Sequence, residues 1–124
     1  VKKLQATARV WLDDAGMRAV MDRCKLSLSL PASDATSVSL LESMACGLAV
    51  LASDLPANRQ WLPAEALVPV DDLPATVARL ARLQQDDAAT ERLGAQNAER
   101  MRHEGSRDAQ MDRAHALYLR LLKR

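Results

Sequence analysis

The chain has 124 residues, and its 17 Lys and Arg residues nearly balance its 16 Asp and Glu residues, which leaves a net charge of +1. This length fits one domain, and 48% hydrophobic residues can bury a core, which excludes a disordered chain. The balanced charge and an aromatic content of 2% argue against a nucleic-acid-binding protein. The sequence contains neither an apolar run that could span a membrane nor a signal peptide.

Strands and helices alternate through the first part of the chain. The pattern predicts four short strands, at residues 8–12, 25–30, 49–53 and 66–70. Between them it predicts helices at 14–23 and 37–46 and a short helical turn at 56–62. Strand 25–30 alternates at period two and ends at Pro31, whereas strand 49–53 hardly alternates, which is typical of a strand buried on both faces. For helix 37–46, the N-cap candidates are Thr36 and Ser37, and Gly47 follows its end, where a left-handed residue is usual.

From residue 73 onward the sequence is predicted to be helical. The first of its helices carries one apolar stripe, Leu73, Val77, Leu80 and Ala81. The apolar markers of the next two helices are Leu93, Ala98 and Met101, then Met111, Ala114, Tyr118, Leu121 and Leu122. The predicted fold is therefore α/β: a Rossmann-like parallel sheet of about four strands in residues 1–72, then a helical segment in 73–124.

The cysteines and histidines give no sign of a disulfide framework or a metal centre. Cys24 and Cys46 are predicted to be buried or half-buried free thiols in a reducing cytoplasm. Neither has a second ligand at zinc-like spacing, and His103 and His115 lie on separate predicted helices. We expect these histidines to face solvent or to pack against a neighbouring helix.

The segment PASDATSVSLLESMACGLAVLASD, residues 31–54, carries the candidate site. A helix that starts after a parallel strand places unpaired first-turn amides, here those of Ser37, Val38 and Ser39, where a phosphate can bind. Asp34 in the loop and Glu42 on the helix are carboxylates that could accept hydrogen bonds from hydroxyls. We expect Glu42 to lie on a different side of the helix from Val38 and Leu41. A sugar nucleotide has hydroxyls at both ends and phosphates between, which suits this layout.

Spacing alone leaves a purely structural interpretation open. Asp34 could satisfy its own loop backbone, Thr36 could cap the helix, and Glu42 could be a surface acid. By spacing alone, this interpretation is slightly favoured, because helix N-termini after strands are common.

The segment SDATSVSLLESMACGLAVLASD resembles the donor-binding segment of retaining group 1 glycosyltransferases with the GT-B fold. Those enzymes carry two glutamates separated by seven residues, a helix ending in MACG, and a strand ending in Ser-Asp. Here Asp34 replaces the first glutamate and Glu42 matches the second. The resemblance runs from about residue 8 to the end of the chain, through ALVPVDDLPATVARLARL and ERLGAQNAER.

The resemblance implies an enzyme that transfers a glycosyl group from a nucleoside-diphosphate sugar to a glycan or lipid acceptor. It implies that Glu42 binds the ribose hydroxyls and Asp34 the hexose, as the catalytic pair. The implied donor-binding residues are Ala35, Thr36, Ser37, Val38, Ser39 and Glu42. It implies no metal and no cofactor besides the donor. The expected location is cytoplasmic, with a peripheral association with the inner membrane face left open.

The resemblance also implies missing parts. The chain starts at about the third strand of the family's nucleotide-binding domain, so the two central strands of the order 3-2-1-4-5-6 are absent. The isolated chain is therefore expected to be inactive. The inner edge of strand 25–30 would be unpaired, which predicts that strand 8–12 relocates or that copies associate as a homo-oligomer.

Two other functions stay open. One is a non-catalytic interaction module derived from a glycosyltransferase. The other, less favoured, is a phosphorelay receiver-like domain, in which Asp54 and Pro56 would lie in a phosphoacceptor loop. That fold requires a later strand ending in a lysine, and the sequence offers only ALVPV before the helices. The nucleotide base, the sugar and the acceptor are not determined by the sequence.

Overall fold

The computed structural model describes residues 11–123 and has a parallel sheet with helices on both faces. Its strands are β1 (Leu26–Ser29), β2 (Ala49–Ser53) and β3 (Leu67–Val68). Its helices are α1 (Asp14–Met21), α2 (Val38–Ala45), α3 (Pro56–Arg59), α4 (Leu73–Gln85), α5 (Asp87–Glu104) and α6 (Arg107–Leu122), with one 3-10 turn at Ala64–Ala66. The predicted α/β class with a helical C-terminal segment is confirmed.

The sheet has the order β1-β2-β3, and both pairings are parallel. Leu26 of β1 lies opposite Ala49, and Ala52 of β2 lies opposite Leu67. All five residues of the central strand β2 are buried, as its lack of alternation predicted.

Alternate residues of β2 belong to two separate core clusters, because successive side chains of a strand point to opposite faces of the sheet. On one face Val50 and Ala52 pack with Leu40 and Met44 of α2. On the other face Ala49 and Leu51 pack with apolar residues of β3, α4 and α5, namely Val68, Leu83 and Leu93. The helix α2 is thereby fixed by its inner side against the sheet.

The backbone of α5 lies directly against the turn between α2 and β2. A Cβ atom added at Gly94 would lie 2.1 Å from the carbonyl oxygen of Gly47. Gly47 itself has φ +77, the left-handed conformation that the sequence predicted at the end of this helix. Three residues past Gly94, the buried Asn97 donates from Nδ2 to the carbonyl oxygen of Leu48 at 2.8 Å. These contacts hold α5 against the turn that follows α2.

The sheet is smaller than predicted. Within residues 11–123 it has three strands, where about four were expected. Of the strand predicted at 8–12, residues 8–10 lie outside the described part, and Trp11 and Leu12 are not in a strand. The strand predicted at 66–70 is shortened to Leu67–Val68, because Ala66 ends the 3-10 turn and Pro69 has no N–H to donate to a ladder.

The helical segment also packs differently from its apolar pattern. The stripe of α4 is only partly buried: Leu80 packs against the core, whereas Leu73 is 70% and Val77 55% exposed. The buried residues of α4 are Thr76 and Leu83. In α5, Leu93 is buried and Met101 packs against the α2 cluster, in line with the pattern. No residue of α6 is buried.

We predict that Gly94→Ala destabilises the fold strongly. The added methyl group would overlap backbone atoms of Gly47 that cannot swing aside, so we expect the free energy of unfolding to fall by about 3 kcal/mol. Urea denaturation followed by circular dichroism measures this change. The matched control is Gln96→Ala at an exposed position on the same helix, which should unfold like the wild type within about 0.5 kcal/mol. An unchanged midpoint for Gly94→Ala would contradict the close approach.

Candidate functional site

The candidate site lies where β1 ends and α2 begins. Residues 30–37 connect the two elements at the carboxyl end of the sheet, the edge where parallel α/β folds bind ligands. Ser37 is the N-cap residue, in an extended conformation, and its Oγ accepts from the amide of Leu40 at 3.4 Å. Of the two predicted caps, Ser37 fills the role and Thr36 does not.

The first turn of α2 has free backbone donors. Within residues 11–123 the amides of Val38 and Ser39 have no hydrogen-bond partner, and Val38 is 68% exposed. The turn is not covered by protein, since Thr36 and Ser39 are exposed and Ser37 is half-buried. The helix dipole adds partial positive charge at this end. The turn can therefore bind an anion.

A serine chain holds α2 against β1. Ser27 of β1 and Ser43 of α2 share a hydrogen bond at 3.0 Å between their Oγ atoms. Ser43, which is buried, also donates to the carbonyl oxygen of Ser39 at 2.8 Å, and Ser39 bonds the N-cap Ser37 at 2.9 Å. These bonds fix the first turn relative to the end of the strand.

Both predicted acids are exposed, and neither side-chain carboxylate has a hydrogen-bond or ion-pair partner among residues 11–123. Asp34 lies in the loop with the exposed Ala35, and Glu42 lies on the outer face of α2. Glu42 shares that face with Val38, because residues four apart on a helix are neighbours. The expectation that Glu42 and Val38 lie on different sides was therefore wrong, whereas Leu41 packs against the core and lies on a different side from the exposed Glu42.

A crevice of about 270 Å³ lies beside the loop, across the carboxyl ends of all three strands. Its lining comes from strand ends and the start of α4: Leu30, Ser53, Pro69, Asp71, Asp72, Leu73 and Thr76. None of the predicted site residues belongs to it. Asp71 has φ 59, and Asp72 caps α4 by accepting from Ala75 at 2.9 Å. Asp71 and Asp72 were not predicted as site residues, although two acids after a strand at the ligand-binding edge were the available signal.

The acid that follows β2 is held in an ion pair. Arg59 donates from Nε to Oδ1 of Asp54 at 2.7 Å, and this hydrogen bond and charge hold the pKa of Asp54 below its usual value. The same contact raises the pKa of Arg59. No strand follows β3 within the described residues, so the later lysine-bearing strand of a receiver domain has no counterpart there.

The other candidate groups lie on the surface. Cys24 is exposed, so its predicted burial was wrong. The preceding helix α1 has no buried residue and does not cover it. Cys46 is half-buried, as predicted. His103 bonds Glu99 at 2.7 Å and His115 is exposed. Residues 11–123 contain no cluster of three or more side chains suited to a metal ion. Nor is any of the described helices long and apolar enough to cross a membrane.

Comparison with models of protein families gives a match over most of the chain. The model of a family described as glycosyl transferase-like matches residues 2–116, which is most of the chain. No curated protein matches. Together with the parallel sheet and the open helix N-terminus at its carboxyl edge, this match shows that the chain belongs to the glycosyl transferase-like family.

Proposed function

We propose that this chain is the donor-binding part of a retaining group 1 glycosyltransferase. The donor is a nucleoside-diphosphate sugar, and the acceptor is a glycan or a lipid. The observation that carries the proposal is the exposed first turn of α2, whose Val38 and Ser39 amides are free at the carboxyl end of β1. Such a turn suits a diphosphate, which is what distinguishes this donor from a simple sugar.

The same amides suit the chemistry of transfer. Breaking the bond between sugar and diphosphate leaves negative charge on the departing phosphate oxygens. Preorganised N–H donors stabilise that charge as it develops, without any rearrangement at the moment of reaction. The serine chain from Ser27 through Ser43 to Ser39 supplies the preorganisation, because it ties the turn to the strand.

The two acids would hold the ends of the donor. Asp34 precedes the turn and would accept from hydroxyls of the hexose, while Glu42 would accept from the ribose. Their exposure supports these roles, since neither carboxylate is engaged by a described arginine or lysine. Ala35, Thr36 and Ser37 would line the path of the donor between them.

The isolated chain would bind the donor without transferring it. Arg59 is the first basic residue after the end of β2. Its Nε lies 2.7 Å from Asp54 Oδ1, so its charge is already paired. The diphosphate would therefore rely on backbone amides alone, which favours weak binding. We propose that turnover requires basic groups supplied from outside residues 11–123.

A non-catalytic interaction module is the second candidate function. The observation that favours it is α6, on which no residue is buried while several large apolar side chains are exposed. Those with more than half of their surface exposed are Met111, Tyr118, Leu121 and Leu122. This function would leave the α2 turn without a ligand.

Glu42→Ala tests the carboxylate at the ribose end. A hydrogen bond to a charged group contributes about 1.5–3 kcal/mol, so we expect the affinity for UDP- or GDP-sugars to fall at least about tenfold. Isothermal titration calorimetry measures it. Glu91→Ala removes an acid that is also exposed, on α5, and should bind like the wild type. Equal affinities for the Glu42 variant and the wild type would remove Glu42 from the site.

Val38→Pro tests the backbone donor itself. Proline is well accepted at the first position of a helix, and the extended conformation of Ser37 suits the residue before it, so α2 should form normally. The substitution deletes one free N–H, and we expect the affinity for UDP to fall about tenfold, by about 1.4 kcal/mol.

The matched variant Val38→Ala removes the same side chain and keeps the amide, so it should bind UDP like the wild type. Circular dichroism checks that both variants keep their helix content. If Val38→Pro and Val38→Ala bind UDP equally well, the diphosphate does not lie on this turn.

A further inference from the structure

A buried hydroxyl lines the crevice at the carboxyl ends of the strands. Ser53, the last residue of β2, is 3% exposed and is one of the crevice residues. Its carbonyl oxygen accepts from Asn58 Nδ2 at 2.9 Å and from the amide of Leu55 at 2.8 Å. Within residues 11–123, however, its Oγ has no hydrogen-bond partner. Because burying a polar group without a partner costs free energy, this hydroxyl requires an explanation.

The Ser53 hydroxyl points into the crevice. Its side chain shares a face of the sheet with Ala49 and Leu51, which pack toward α4 and α5, because alternate strand residues lie on the same face. On that face the start of α4 forms one wall of the crevice, through Leu73 and Thr76. In the described part of the chain, every fully enclosed side-chain nitrogen or oxygen has a partner, so Ser53 Oγ keeps some accessible surface. The crevice is the space that it lines, and a ligand there can reach it.

The other polar groups of the crevice accept hydrogen bonds. Asp71 is exposed, and its carboxylate has no partner among residues 11–123. Asp72 accepts from the amide of Ala75 through Oδ1, which leaves Oδ2 without a partner in the same described range. Thr76 donates its hydroxyl proton to the carbonyl oxygen of Asp72 at 2.8 Å, so its Oγ1 offers lone pairs only. Ser53 is therefore the crevice side chain that can donate.

Charge and size decide which ligand suits these groups. The charged residues that line the crevice are Asp71 and Asp72, and no described lysine or arginine lines it, so it repels phosphate and carboxylate groups. Its volume of about 270 Å³ lies just below the range of about 300–1,000 Å³ for drug-sized ligands and far exceeds one metal ion. The rest of its lining, Leu30, Pro69 and Leu73, is apolar. A monosaccharide unit has this size, several hydroxyls and an apolar C–H face.

We propose that the crevice binds one neutral monosaccharide unit of a glycan. The sugar hydroxyls donate to the carboxylates of Asp71 and Asp72 and accept from Ser53 Oγ, and the C–H face packs on Leu30 and Pro69. The crevice lies on the α4 face of the sheet, and the α2 turn lies toward the opposite face. Assigning the unit to the acceptor rests on the proposed function and makes the acceptor a glycan, whereas the sugar site itself does not rest on donor binding.

Proton–nitrogen correlation spectra of the full chain test the site. Methyl α-glucoside, methyl α-mannoside and methyl α-galactoside are titrated separately, and UDP is titrated into another sample. We expect at least one hexoside to shift the amides of Ser53, Asp71 and Leu73, and UDP to shift those of Val38 and Ser39. The two responses separate the proposals. Hexosides without effect at the crevice would overturn this inference, whereas UDP without effect on the α2 turn would contradict donor binding alone.

Two variants test the contacts. Ser53→Ala removes a hydroxyl that has no described partner, so we expect an unchanged urea midpoint and a dissociation constant for the hexoside raised about fivefold. Asp71→Asn removes the charge, and Asn tolerates the left-handed φ of 59 at this position, so a similar loss of affinity is expected in a folded chain. The matched control Asp112→Asn changes an exposed acid on α6 and should bind like the wild type.

Several results would overturn the sugar site. Wild-type affinity in Ser53→Ala is one, whether or not the urea midpoint falls, because the hydroxyl would then have no contact with the ligand. Glucuronate binding in the crevice more tightly than methyl α-glucoside would contradict the argument from charge. Mg²⁺ shifting the same amides while all three hexosides leave them unchanged would make the crevice a cation site.

Discussion

The contact between α5 and the turn after α2 is the constraint on which the rest of the structure depends. A Cβ atom at Gly94 would collide with the backbone of Gly47, so this approach requires a glycine at position 94, and Asn97 satisfies the buried carbonyl of Leu48 beside it. Because this turn joins α2 to β2, the contact fixes both the helix with the candidate site and the central strand of the sheet. Helix α5 is therefore part of the domain core and positions the site from behind.

Local signals in the sequence predicted the elements around the site well. The unbroken apolar run at 49–53 indicated a buried strand, and Gly47 indicated the left-handed end of α2, because each of these depends on a few neighbouring residues. Ser37, which caps α2, was one of the two predicted N-cap residues, because capping also depends on neighbouring residues. Local chemistry determines a cap or a turn almost completely.

Features that depend on distant residues were not predicted. The stripe of α4 packs against the core only in part, through Leu80, while Val77 stays 55% exposed within residues 11–123 and Thr76 and Leu83 are the buried residues. The close approach of Gly94 to Gly47 joins positions 47 residues apart and leaves no pattern in either segment. The shared face of Val38 and Glu42 was predictable from helical spacing and was misjudged. The crevice with Asp71 depends on the sheet register, which the sequence does not give.

The α2 turn and the outer edge of β1 both depend on the same short strand. On the face of the sheet that α2 covers, Ser27 of β1 holds α2 through its bond to Ser43. Leu26 and Leu28 have their side chains on the opposite face, and within residues 11–123 their backbone groups point away from β2. Leu30, which begins the loop to the candidate site, also lies at the end of that edge. The α2 turn and the β1 edge can be changed separately. A substitution of a leucine at the edge leaves the amides of α2 in place, and Val38→Pro leaves the edge intact.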